Sequence, residues 1–263
     1  AFPGFSREKL IITLIIILAI LSRFLLLGNR VMSHDEVNHV VPAYNLYKGM
    51  GYAHDPVTHG PFQFHVLALA YFLFGDNDFA SRVPAALFSV AAIIFVIFAF
   101  KRYLGRIGAL IGGVLFLISP FLLFYGRYTR NEGFIELFAV MTLYGLLRYF
   151  EKRDHFSLYL IAVVTALQFV TKEVAFIYTA QFLLFCGILL VVDLWKILQS
   201  EKKNRRKSLL LLFSTALLFI IGVMVFSLNN QSKNPDRMIF TASIVLSVIG
   251  GLGFIAAIAQ LLL

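Results

Sequence analysis

Charge is scarce in this chain. Asp, Glu, Lys and Arg make up 14% of its 263 residues, against about 25% in an average soluble domain. A soluble core of this size needs a polar shell, and this composition does not supply one. Cysteine is almost missing as well. Cys186 is the single one and lies inside an apolar run, so no intrachain disulfide forms. No internal repeat and no low-complexity tract is present. The first apolar run lacks a small-residue cleavage site and is long, so it reads as a span rather than a cleavable signal.

What is abundant is apolar sequence: 60% hydrophobic residues and a mean hydropathy of +0.84. About 20 apolar residues cross a bilayer as a helix, and lipid leaves no unpaired backbone group unpunished, so the runs must be helices. They cover roughly 10–28, 84–100, 107–125, 133–150, 156–170, 174–195, 208–228 and 239–263. The fold class expected is all-α: a polytopic membrane helix bundle of about eight transmembrane helices. The formal charge of +9 would suggest nucleic acid in a soluble protein. Here the cations sit in short loops, so they report topology and no nucleic-acid partner is expected. With the N-terminus in the cytoplasm, the inside segments carry Arg7 and Lys9, then Lys101, Arg102 and Arg106. Next come Arg148, Lys152 and Arg153, and last Lys196, Lys202, Lys203, Arg205, Arg206 and Lys207. The outside segments hold most carboxylates, which satisfies the positive-inside rule through every span.

Between the first two spans lies a long extracytoplasmic loop, 29–83, too long for an inert connection. Within it, 61–74 (PFQFHVLALAYFLF) is apolar but too short to span. Pro61 suits a first helical turn, so an interfacial helix is expected there. The chain stops in an apolar run at Leu261-Leu262-Leu263. It therefore reads as a single transmembrane domain, 1–263, the N-terminal part of something longer.

Four outer features carry candidate chemistry. Ser33-His34-Asp35-Glu36 reads as a capping box, Ser33 capping a helix and Glu36 reaching back. Capping accounts for Glu36 but not for Asp35. Consecutive helical side chains diverge by about 100°, so the two carboxylates cannot face one substrate equally, and Asp35 is the better general base. Arg127-Tyr128-Thr129-Arg130-Asn131-Glu132 is either a snorkelling anchor or a phosphate clamp of two guanidinium forks. Thr171-Lys172-Glu173 joins two spans with almost no loop, and Arg23 lies near the outer end of the first span. A charge deeper than the interface costs about 2.5–3.5 kcal/mol and usually has a purpose. Five of the six histidines fall in 29–83, but the spacing of His54, Asp55 and His59 fits no zinc pattern, and no metal site is expected. Gly108 and Gly112 form a GxxxG, a packing motif in membranes.

The Asp-Glu pair after the first span, the long outer loop and the segment HGPFQFHVLALAYFLFGDNDFASRVPAAL together resemble the GT-C membrane glycosyltransferases. These include protein O-mannosyltransferases and lipid A aminoarabinose transferases. Among them the chain most resembles a prokaryotic branch known as flippase-activity-associated proteins. It shares the HDE start, the HGP-helix-LFG segment, a basic R-x-x-R-N-acid loop, and TKE, over about residues 10–195. The resemblance implies Asp35 as catalytic base with Glu36 beside it. It implies Glu132 as the second-loop acid, where relatives more often carry Asp. It places His59, Arg127, Arg130 and Lys172 near the donor phosphate. The function implied is transfer of a sugar from a polyprenyl-phosphate donor to an acceptor hydroxyl at the outer face of the plasma membrane, with inversion. The alternative is a non-catalytic membrane subunit of a larger complex derived from such an enzyme, with membrane-protein partners. No cofactor follows from these residues, and a divalent ion is left open. A transporter would show repeats and broken helices, and the sequence shows neither.

Overall fold

The structure is a computed structural model that describes residues 7–52, 60–199, 203–231 and 237–262. His54, Asp55, His59 and Asp236 lie outside the described residues. Among those described, every regular element is a helix: α1 (Arg7–Phe24), α2 (His34–Tyr47), α3 (Pro61–Phe74), α4 (Asp78–Ala99), α5 (Lys101–Ile118), α6 (Pro120–Tyr125), α7 (Glu132–Lys152), α8 (His155–Phe169), α9 (Val174–Gln199), α10 (Lys203–Gln231) and α11 (Arg237–Leu262). The chain forms two compact units, Ala1–Gln181 and Phe182–Leu263.

Among the described residues, five segments are long and apolar enough to cross a membrane: Asp78–Ala99, Glu132–Lys152, Val174–Asp193, Leu209–Asn230 and Arg237–Ala257. This is fewer than the eight expected. α1 and α5 have 18 residues each but carry several charges, and α8 has only 15. Two boundaries also move. The run 107–125 is two helices, because α5 ends at Ile118 and α6 starts at Pro120, capped by Ser119. Proline has no N–H to continue the ladder, and the break falls there. Asn77 caps α4 and starts it at Asp78, inside the expected loop. α2 runs through Pro42 to Tyr47. Gly105 interrupts α5 near its start at φ 70°, a left-handed conformation open to glycine.

Two expectations hold closely. Ser33 and Glu36 form a complete capping box at the start of α2. α3 begins at Pro61, with Gly60 as its N-cap. Its Phe64, Leu67 and Tyr71 are buried, while Leu69, Phe72 and Leu73 are exposed.

In the first unit α4 is the central helix. Val90, Ile93 and Ile97 pack on Ile15 and Ala19 of α1. Ala80 joins Phe64 and Leu67 of α3, Phe134 and Phe138 of α7, and Val164 of α8. Small residues let helices approach where lipid gives no hydrophobic drive. A Cβ on Gly113 would sit 2.5 Å from Ile97 Cγ1, whereas one on Gly108 would meet only its own turn at Leu104. The close stripe is therefore Ala109–Gly113, with Gly112 alongside, rather than Gly108–Gly112. In the second unit α10 and α11 make a tight pair: a Cβ on Gly250 would lie 2.5 Å from Phe219 N, and one on Gly222 2.5 Å from Ser247 Oγ.

Ion pairs mark one end of the first unit. Lys101 Nζ lies 2.5 Å from Glu8 Oε1, and Arg102 pairs with Glu151. The three basic segments expected on one side, 7–9, 101–106 and 148–153, thus gather together.

Candidate active site

At the other end of the first unit, the start of α3 meets the α8–α9 turn. The backbone of Gly60 donates to Thr171 O (3.2 Å) and Phe62 N donates to Val170 O (3.0 Å), fastening the start of α3 to the α8–α9 turn. A Cβ on Gly60 would lie 2.1 Å from Val170 O, so this approach requires glycine. The turn carries Lys172.

Lys172 Nζ donates to Glu132 Oε1 at 2.5 Å. Arg130 Nε lies 3.6 Å from Glu132 Oε2, and Arg130 Nη1 donates to Asp35 Oδ2 at 3.1 Å. Asp35, Arg130, Glu132 and Lys172 thus form one alternating chain of charges, drawn from α2, the α6–α7 loop, α7 and the α8–α9 turn. Burial deepens along it: the side chains are 55%, 25%, 19% and 16% exposed in that order. The buried end opens into a cavity of about 400 Å³ whose lining includes Glu132, Glu136 and Lys172 among Phe116, Phe121, Ile135, Val140 and Tyr178.

Glu36 sits differently from its neighbour Asp35. Its side chain is fully buried. Arg82 Nε and Nη2 donate to its two oxygens at 2.8 and 3.1 Å, a bidentate pair. Arg30 Nη2 (2.8 Å), Ser33 N (3.1 Å) and Thr129 N (3.2 Å) complete the shell. Burial alone would raise its pKa, but the hydrogen bonds from Arg82, Ser33 and Thr129 and the charge of Arg82 hold it below the ordinary value. Glu36 has no lone pair to spare for a substrate. It ties α2, α4 and the 127–132 loop together, and so sets where Asp35 and Arg130 stand.

Arg127 and Arg130 do not converge. Arg127 Nη1 and Nη2 donate to Ser22 O (2.6 Å) and Leu25 O (2.8 Å), closing the C-terminal carbonyls of α1. Burial lowers its pKa, as do the neighbouring cations Arg30 and Arg82. With Arg30 it faces a separate cavity of about 430 Å³ beside Leu26, Leu123 and Phe124. Arg23 is fully buried and donates to Ser22 Oγ (2.9 Å), Leu117 O (2.9 Å), Phe116 O (3.0 Å) and Ser89 Oγ (3.4 Å). It is a packing anchor between α1, α4 and α5.

Two residues of this region escape sequence reasoning. Arg82 lies at the far end of the long loop expected over 29–83, and its partner Glu36 is 46 residues away. Glu136 is one helical turn from Glu132, and that i, i+4 spacing of two carboxylates in an apolar run was the available signal. Among the described residues, no group of three or more His, Cys, Asp or Glu side chains is placed to hold a metal.

Residues 58–226 match the model of the dolichyl-phosphate-mannose-protein mannosyltransferase family. The chain belongs to that family. No curated protein and no solved structure gives a significant match. Membership makes the chain a glycosyltransferase-type membrane protein. The matched span begins just before α3 and takes in Arg130, Glu132 and Lys172, but leaves Asp35 and Glu36 outside it.

Proposed function

We propose that the charge chain and its cavity are the active site of a GT-C-type transferase that moves a sugar from a polyprenyl-phosphate donor to an acceptor hydroxyl. The observation that carries this reading is the continuity from water-exposed Asp35 through Arg130 and Glu132 to Lys172 at an apolar cavity. Such a donor is amphiphilic, with a polar sugar, an anionic phosphate and a long apolar tail. A site for it needs a base at the wet end, cations in the middle and an apolar wall beyond.

In this reading Asp35 takes the proton of the acceptor hydroxyl. The freed oxygen attacks the anomeric carbon from the face opposite the phosphate, and the bond from that carbon to the phosphate oxygen breaks. The carbon inverts, and polyprenyl phosphate leaves with the bonding electron pair. Arg130 and Lys172 meet the charge that develops on it, where a water-poor setting makes cations most effective. Glu132 holds both cations in place. Glu36 acts through position alone. Arg127 anchors α1, and His59, given near the phosphate by resemblance, lies outside the described residues.

Lys172→Gln should lower kcat by about 10²–10³, the usual cost of losing one such donor. The measurement is transfer of labelled sugar from polyprenyl-phosphate mannose in vesicles holding the purified protein. An unchanged kcat would remove Lys172 from the site. The reading also puts this end of the bundle outside the plasma membrane, with the N-terminus cytoplasmic. A reporter fused after Gln199 should then be cytoplasmic, and an extracytoplasmic reporter would reverse the assignment.

A further inference from the structure

Glu136 is an unsatisfied polar group that lines the cavity of the first unit. Its residue is 9% exposed, and neither carboxyl oxygen has a hydrogen-bond partner among the described residues. Its polar surroundings are the Ser89 hydroxyl and the Arg23 guanidinium. Arg23 is already bonded to Ser22, Phe116 O, Leu117 O and Ser89, and makes no ion pair with Glu136. A buried carboxyl without partners costs free energy, more so in a membrane segment, where such groups mark function. Glu136 also lines the cavity, about 6 Å further along α7 than Glu132, from four residues of rise.

The cavity is therefore chemically divided. At one end Glu132 is matched by Lys172 and Arg130. One turn on stands a carboxyl group with neither oxygen paired, on a wall shared with Phe116, Ile135 and Val140. The cationic end suits a phosphate. The unpaired carboxyl suits a hydroxyl, which can both give and accept a hydrogen bond. The apolar ring lets that bond form away from competing water.

We infer that Glu136 is a sugar-recognising residue, which hydrogen-bonds a hydroxyl of the donor's glycosyl group while Lys172 and Arg130 hold the phosphate. This rests on the donor assignment above, and it makes the cavity selective for a hydroxyl-bearing sugar on the lipid, not only for the lipid phosphate. A site built around a substrate hydroxyl discriminates strongly against analogues that lack it.

The test compares binding of bare polyprenyl phosphate with that of polyprenyl-phosphate mannose to the purified full chain in nanodiscs. The wild type should bind the glycosylated lipid more tightly than the bare one. Glu136→Ala should lose that increment, about 10–100-fold in affinity for one buried hydrogen bond, while its affinity for the bare lipid stays unchanged. That unchanged affinity also reports an intact fold, and Glu136→Gln, which keeps the shape and part of the bonding, should fall between. A set of deoxymannosyl donors should contain one whose loss in the wild type equals the Glu136→Ala loss and does not add to it, as expected of direct partners. If the bare lipid binds and the sugar increment survives in Glu136→Ala, the inference is wrong and the donor assignment stands. If the wild type binds neither lipid, both fall together.

Discussion

Asp35→Asn should abolish sugar transfer, by about 10²–10⁴-fold if it removes only general-base catalysis, while the protein still inserts and folds. The fold is safe because Asp35 is more than half exposed and its single ion pair is with Arg130. Exposed pairs contribute only about 0–1 kcal/mol. The amide keeps the size of the carboxylate but cannot take the acceptor proton. The readout is the initial rate with polyprenyl-phosphate mannose, beside a thermal unfolding curve of the same preparation. A variant with wild-type rate would sink the assignment of Asp35 as base. A variant that lost both rate and stability would point to Asp35 as a structural residue.

Glu36→Ala should behave in the opposite way. It leaves Arg82, 1% exposed, without its carboxylate, and strips partners from Arg30, Ser33 N and Thr129 N. Breaking a buried ion pair by removing one member costs about 3–5 kcal/mol. Activity should fall as a result of lost structure, since α2 and the 127–132 loop would lose the tie that sets Asp35 against Arg130. Replacing Arg82 by Met as well should recover part of the loss, because the buried cation goes with it. Unfolding in detergent measures both variants against the wild type. A Glu36→Ala protein within 1 kcal/mol of wild type, by the same scale, would refute the hub.

The same group predicts an acid limb. Its folded pKa lies below the ordinary carboxylate value. The stability it contributes is therefore present at neutral pH and down to the unfolded-state pKa. It is lost as pH falls on through the folded pKa. Unfolding curves should be flat near neutrality and drop in acid, and Glu36→Ala should show a smaller drop.

The sequence carried local information well. A proline at the head of an apolar stretch placed the start of α3 at Pro61, and Ser33 with Glu36 placed the start of α2. Both are decided within four residues of backbone, so no partner is needed to read them. The apolar runs were legible because lipid admits only helices. The run 107–125 was misjudged where hydropathy and backbone disagree: Pro120 is compatible with a membrane setting but not with an unbroken ladder.

By itself, then, the sequence determined that this is a helical membrane protein, with acids and cations of separate loops at one end and most of its basic loops at the other. Only tertiary structure decided which of those charges meet. Asp35 and Glu36 are adjacent in the chain, yet one is exposed beside Arg130 and the other is sealed against Arg82. Arg127 and Arg130 are three residues apart, yet one closes the end of α1 and the other pairs with Asp35, and Glu136 stood out only as an unpaired carboxyl on a cavity wall. The physical reason is that hydropathy and caps act within a turn or two, whereas ion pairs across dozens of residues follow from helix phase and packing.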